Sequence, residues 1–260
     1  MQNGKIKGNL KQHLIPPISI LAGLALWEFL VRLLNYPAFI LPAPSQIIVR
    51  FFSSVSNGVL LYHTGLTLIE VSAGLLIGTL LALINGYYLA HHPVAESVLF
   101  PYIVASQAIP MAAIAPLLTI WFGSGMTPKI LICSLVVFFP IQINVIIGLR
   151  DIPRNLFDLM HSMRADRKAT LRYLEIPAAL PVIFGGLRIS ATLSVIGAVV
   201  GELTGADAGL GYLINTARGQ YDTAMVFVAV IMLMLIAIVL YALILLIEKR
   251  ALRWQSEDFS

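Results

Sequence analysis

Six stretches of this chain each run for about twenty residues or more with few ionisable side chains, long enough to cross the hydrocarbon of a bilayer. Lipid offers no partner to a backbone N–H or C=O, so a run of this kind has to close its own hydrogen bonds as a helix. The runs are Leu14 to Leu34, Leu66 to Ala90, Val98 to Phe122, Lys129 to Leu149, Val182 to Thr204 and Thr223 to Ile247. The expected fold is therefore all-α, a polytopic membrane protein of about six spans, with residues 1–260 forming one transmembrane domain. Composition excludes the soluble classes: 58% of residues are hydrophobic and 12% charged, where a soluble domain carries about 25% charged.

A net charge of +4 is compatible with nucleic acid as a partner, but the placement of the basic residues points to the bilayer instead. With the N-terminus inside, twelve of the seventeen Lys and Arg fall on inner segments: Lys5, Lys7 and Lys11, then Arg150, Arg154, Arg164, Arg167, Lys168 and Arg172, then Lys249, Arg250 and Arg253. Arg32, Arg50, Lys129 and Arg218 fall at or near the outer face, and Arg188 lies within a span. This bias predicts both termini in the cytoplasm. The first run follows basic residues but carries Pro16, Pro17, Trp27 and Glu28 and precedes five more spans, so it reads as a retained signal-anchor helix. The single cysteine, Cys133, allows no disulfide and no Cys-based metal site.

Two outer loops have helical character of their own. Leu41-Pro-Ala-Pro-Ser45 predicts a turn with Ser45 as N-cap, followed by a short amphipathic helix from Gln46 along the interface. Gly205 to Tyr212 predicts a flexible entry to a second short helix, Leu213 to Arg218. Either helix can serve function or simply pad the bundle.

The inner loop from Arg150 to Pro181 is the one clearly amphipathic segment. Leu156, Leu159, Met160 and Met163 recur at helical spacing, as do Leu171 and Leu174, with Arg and Lys between them. A short helix pair follows, stopped by Pro177 and Pro181 before the fifth span begins.

This loop resembles the cytoplasmic loop of binding-protein-dependent ABC importer permeases. Aligned on Pro177, the family's Glu-Ala-Ala triplet falls on Asp158-Leu159-Met160 and its turn glycine on Arg164. Nine residues then begin at Ala165, and the Ile and Leu positions fall on Leu174 and Ile176. An arginine at the glycine position must either adopt the turn conformation or shift the turn by one residue. The resemblance runs from Leu41 to Trp254, through Ile109-Pro110, Ala115-Pro116-Leu117, Trp121-Phe122-Gly123, Pro177 to Pro181, Gly186-Leu-Arg-Ile189 and Gly209-Leu-Gly211. Together these motifs resemble the sulfonate, taurine and nitrate branch, and Ser190 through Gly211 is similar to permeases for riboflavin or the thiamine pyrimidine.

The resemblance implies a type I importer permease in a bacterial inner membrane, two copies lining a pore as a homodimer. It also implies an external substrate-binding protein and a separate ATP-binding subunit that receives the inner loop in a groove. Asp158, Leu159, Met160, Met163, Arg164, Ala165, Leu174, Ile176 and Pro177 would then form the docking loop. Soft apolar side chains suit such a groove; the same helix could instead lie on lipid headgroups. The chain has no Gly-x-x-x-x-Gly-Lys-Ser/Thr phosphate loop to cradle a nucleotide in the usual way, and the resemblance implies that ATP is used by the partner while this chain binds no cofactor and is not an enzyme.

Polar residues in the spans are the candidate pathway. Gln107, Gln142 and Asn144 sit deep in the third and fourth spans, where pore lining and helix-to-helix hydrogen bonding fit equally well. Glu202, at the outer end of the fifth, could gate the opening, touch solute or reach interfacial water; Glu70 and Arg188 could simply snorkel. Pro110 and Pro116 should bend the third span, and Gly74 with Gly78 and Gly197 with Gly201 give close-packing faces. A secondary transporter would show paired repeats with broken helices, and none is evident. With no Lys or Arg deep in the spans, a neutral vitamin-type solute fits better than a sulfonate, taurine or nitrate, the alternative cargo.

Overall fold

In a computed structural model residues 3–253 are described, with side chains from Ile18 onward. Lys5, Lys7, Lys11 and the start of the first expected span therefore lie outside the described side chains, and Trp254 outside the described residues. The elements, in chain order, are α1 (Asn3–Leu33), α2 (Pro44–Ser56), α3 (Val59–Ala90), α4 (Pro93–Ser106), α5 (Met111–Phe122), α6 (Met126–Arg150), α7 (Arg154–Ser162), α8 (Arg167–Thr170), a π turn (Leu171–Glu175), α9 (Ile176–Leu203), α10 (Leu210–Gly219) and α11 (Thr223–Ala251). Among the described residues, α3, α6, the continuous helix Arg167–Leu203 and α11 are each long and apolar enough to cross a membrane.

The third expected span departs from the sequence reading. It consists of α4 and α5, which meet at a 95° bend and make a fifth span only if counted together. Pro110 explains the break: it sits at φ −62°, ψ 114° as the N-cap of α5, has no N–H to continue α4, and pushes Ile109 out of the helical region. Pro116, by contrast, is accommodated inside α5.

A second departure lies at the start of the fifth span, where Pro177 and Pro181 do not stop a helix. Arg167 to Leu203 is one helix of 37 residues. The π turn makes this possible: Ile176 N–H bonds to Leu171 O, five residues back, and Pro177 then falls in the first turn of α9. The wider π closure just before Pro177 makes room for its ring and missing N–H within the continuous helix, and Pro181 is accommodated inside α9.

The chain packs as two units, residues 62–212 with 232–260 and residues 1–61 with 213–231, and each boundary falls inside a helix rather than at a linker. In the larger unit α6 is clasped by glycines from two sides. A Cβ on Gly74 or Gly78 of α3 would lie 2.2 Å from Cys133 Cβ or 2.6 Å from Ser134 O. On Gly197 or Gly201 of α9 it would lie 3.0 Å from Cys133 Cα or 3.2 Å from Lys129 Cα. The two glycine pairs of the sequence thus let both neighbours approach the α6 backbone within one chain. Behind them Ala82, Val137, Ile141 and Val145 form a buried apolar cluster.

In the smaller unit Glu28 of α1 organises the start of α2. Its carboxylate accepts from Ser45 N at 3.0 Å, Ser45 Oγ at 2.8 Å and Arg32 Nε at 2.6 Å. The N-cap is Ala43 rather than Ser45; a carboxylate borrowed from α1 does what a capping side chain would do. Arg50 of α2 pairs with Asp222 at 2.6 Å, and Asp222 also accepts from Met225 N at 3.0 Å at the start of α11.

Candidate functional site

Two constellations in the larger unit stand at opposite ends of the helix Arg167–Leu203. At its start is the amphipathic loop expected on the inner side. α7 closes with Arg164 at φ +52°, its N–H on His161 O at 2.9 Å and the N–H of Ala165 on Met160 O at 3.0 Å. This pair of bonds is the Schellman closure, whose left-handed position usually belongs to glycine. The arginine adopts the turn conformation, and the turn does not shift. Asp166 then caps α8, accepting from Ala169 N at 2.7 Å.

The nine residues expected to form a docking loop separate by exposure. Leu159, Met163 and Ile176 are 53%, 69% and 47% exposed; Asp158 and Arg164 are exposed as well. Met160, Ala165 and Pro177 are half-buried. Leu174 is buried and holds the loop to the bundle, so its side chain is not on offer to a partner in this conformation. Asp158 lines a cavity of about 610 Å³ with Arg150, Arg154, His161 and Arg167.

The second constellation, at the far end, is one the sequence reading mostly missed. Glu202 is 1% exposed and Glu70 fully buried, so neither carboxylate snorkels or faces open solvent. Lys129, read as an outer-face residue, is 6% exposed and puts Nζ 2.6 Å from Glu70 Oε1. A charge in such a place requires a partner.

Around this pair, polar groups of α3, α6 and α9 hold the backbone of loop 204–209 and the first turn of α10. Lys129 Nζ donates to Ala208 O at 3.2 Å. Gly209 N donates to His63 Nδ1 at 3.0 Å, which puts that ring's proton on Nε2. Leu210 N donates to Thr67 Oγ1 at 2.8 Å, and Thr67 in turn donates to Glu202 Oε1 at 2.6 Å. Gly211 N donates to Glu202 Oε2 at 2.5 Å.

Glu202 therefore ties the first turn of α10 to the end of α9, directly at Gly211 and through Thr67 at Leu210. Gly209-Leu-Gly211 gains its physical reason here: Gly209 sits at φ +119°, and a Cβ on it would lie 2.1 Å from Glu202 Oε1. On Gly211 it would lie 2.8 Å from Glu202 Cβ. His63, Thr67 and Lys129 were legible only as polar residues near span ends.

The pathway candidates do not converge. Gln107 is exposed in the α4–α5 bend. Gln142 is 1% exposed and donates to Asn85 of α3 at 2.6 Å, a bond between helices. Asn144 donates to Pro140 O of its own helix at 2.8 Å and packs on Gly186. Arg188 pairs with Glu248 at 3.3 Å.

Residues 74–253 match the family described as binding-protein-dependent transport system inner membrane component. The chain belongs to this family. It is the permease subunit of an ABC importer, a multi-pass inner-membrane component that works with a substrate-binding protein and an ATPase. The permease is 45% identical to the riboflavin transport system permease protein of Chloroflexus aurantiacus over 92% of this chain and 90% of that one. Identity is 34% to the formylaminopyrimidine transport permease protein of Halalkalibacterium halodurans, covering 95% and 98%. It is 26% to the taurine transport system permease protein of Escherichia coli, covering 90% and 87%. An inward-facing structure of a methionine ABC transporter shares the permease's fold, with TM-score 0.61 and 21% identity over 75% of this chain and 95% of that one.

Proposed function

We propose that two copies of this permease line the pore of an importer for a flat, uncharged vitamin or vitamin precursor, riboflavin first and a thiamine pyrimidine second. The observation that carries the reading is the gradient of likeness, 45% to the riboflavin permease against 26% to the taurine permease over similar lengths. The charges agree with it. Lys129 is the one buried cation among the described residues, and its ammonium is spent on Glu70 and Ala208. An anionic solute would meet no buried positive charge free to attract it.

In this reading the ATPase receives α7 and the turn at Arg164, with Leu159 and Met163 as apolar contacts and Arg164 facing acidic residues at the rim. Both termini and the inner loop are cytoplasmic, as the distribution of Lys and Arg favours. The test is uptake of labelled riboflavin, thiamine pyrimidine and taurine by cells making the complete transporter, against a strain lacking only this subunit. Riboflavin uptake should depend on the chain; dependence of taurine uptake alone would refute the neutral-solute reading.

A further inference from the structure

The ends of α3 and α9 nearest the loop frame a groove that lies beside α7 and the turn at Arg164 and shares only Ile176 with the nine docking-loop residues. Its floor is an apolar cavity of about 530 Å³ lined by Leu83, Ile84 and Tyr87 of α3 and by Ile176, Leu180 and Ile183 of α9. A second cavity, of about 440 Å³, shares Ile84, Tyr87 and Leu171 with the first and is lined beyond them by His91, His92, Arg167 and Lys168. One trough thus changes from apolar to basic along its length.

We propose that this trough binds an anionic phospholipid, its phosphate at Arg167 and Lys168 and an acyl chain along the apolar floor. Dimensions support this occupant. Twelve residues separate Leu171 from Ile183, about 18 Å at helical rise, against roughly 15 Å for one leaflet's share of the hydrocarbon. The walls are open to lipid, with Ile84 70%, Tyr88 53% and Ile176 47% exposed. Tyr87 and Tyr88 stand where the floor meets the basic mouth, the level at which amphipathic rings favour the interface.

Charge selects the headgroup. Arg167 and Lys168 are exposed at the mouth. Of the carboxylates nearby, Glu175 lines the floor and meets His91 Nε2 through Oε1 at 3.1 Å, and Asp166 caps α8. Basic pockets between helices at a membrane face are suited to anionic headgroups, each basic side chain contributing a preference of roughly five-fold.

The test places a reporter on the groove wall. The complete transporter carrying Ile84→Trp is reconstituted in mixed bilayers in which either phosphatidylglycerol or phosphatidylcholine is brominated. Signal from the native tryptophans is subtracted using the parent. Brominated phosphatidylglycerol should quench as though enriched over phosphatidylcholine, up to roughly 25-fold for two basic side chains. In Arg167→Gln/Lys168→Gln the two lipids should quench equally. Equal quenching in the reporter protein itself, which needs no charge variant, would remove headgroup recognition. Absence of quenching by either lipid would mean that protein covers the groove, and that too overturns the proposal.

Discussion

Replacing Lys129 with methionine tests the buried ion pair beside the first turn of α10. Lys129 and Glu70 are 6% and 0% exposed and their charged atoms lie 2.6 Å apart, so removing the ammonium leaves a carboxylate with neither water nor counter-charge. Breaking a buried pair from one side costs about 3–5 kcal/mol. Loss of the bond to Ala208 O adds about 1 kcal/mol, so Lys129→Met should destabilise by about 4–6 kcal/mol. Methionine nearly matches the apolar stem, so little of this comes from packing. Replacing both partners with apolar residues of similar size often costs little, and Lys129→Met/Glu70→Leu should recover to within about 2 kcal/mol of the parent. Unfolding by SDS titration in mixed micelles, run as a double-mutant cycle, measures each term. A loss below about 1 kcal/mol in the single variant, or a double variant that loses the sum of both singles, would refute the reasoning.

Arg164→Gly should stabilise the inner loop by roughly 1 kcal/mol, because the left-handed turn at φ +52° no longer strains a side chain; slower proteolysis at the loop would report it. Gly209→Ala should destabilise the permease by a few kcal/mol, since at φ +119° its Cβ would lie 2.1 Å from Glu202 Oε1; SDS unfolding reads it, and unchanged stability would show that the turn can shift. Met160→Glu should cost several kcal/mol of ATPase docking by burying an unpaired charge, measured as co-elution of the two subunits; normal assembly and transport would exclude Met160 from the interface. Cysteines introduced at Asn57 or Thr216 should label from outside intact cells and one at Lys168 should not, over no background because Cys133 is fully buried; labelling at Lys168 alone would reverse the topology.

Much of this molecule was legible in its sequence because a bilayer leaves the backbone few options. The apolar runs become helices, and the glycine pairs of α3 and α9 pack on α6 within the chain. Of the two outcomes that the alignment on Pro177 left open, Arg164 takes the turn conformation itself. What stayed illegible depended on contacts distant in sequence. Nothing local distinguishes Pro110, which breaks a span, from Pro177, which a π turn absorbs. Glu70 could be read as snorkelling and Glu202 as facing the opening, because their partners, Lys129, Thr67 and the Gly211 N–H, are supplied by other helices. Leu174 has the spacing of a docking residue, yet tertiary packing buries it.

The unbroken helix from Arg167 to Leu203 carries a constraint of phase. Each residue turns the helix by about 100°, so one residue inserted between Ala179 and Val200 would swing Glu202 away from Thr67 and Gly211 without altering any side chain. Composition along this stretch can drift while its count cannot. The π turn is the one place where the phase is already offset, since closing a ring five residues back takes in one residue more than an α turn. Lengthening or shortening the helix by a residue is therefore best absorbed at Leu171–Glu175, by moving between π and α closure, and least tolerated anywhere beyond it.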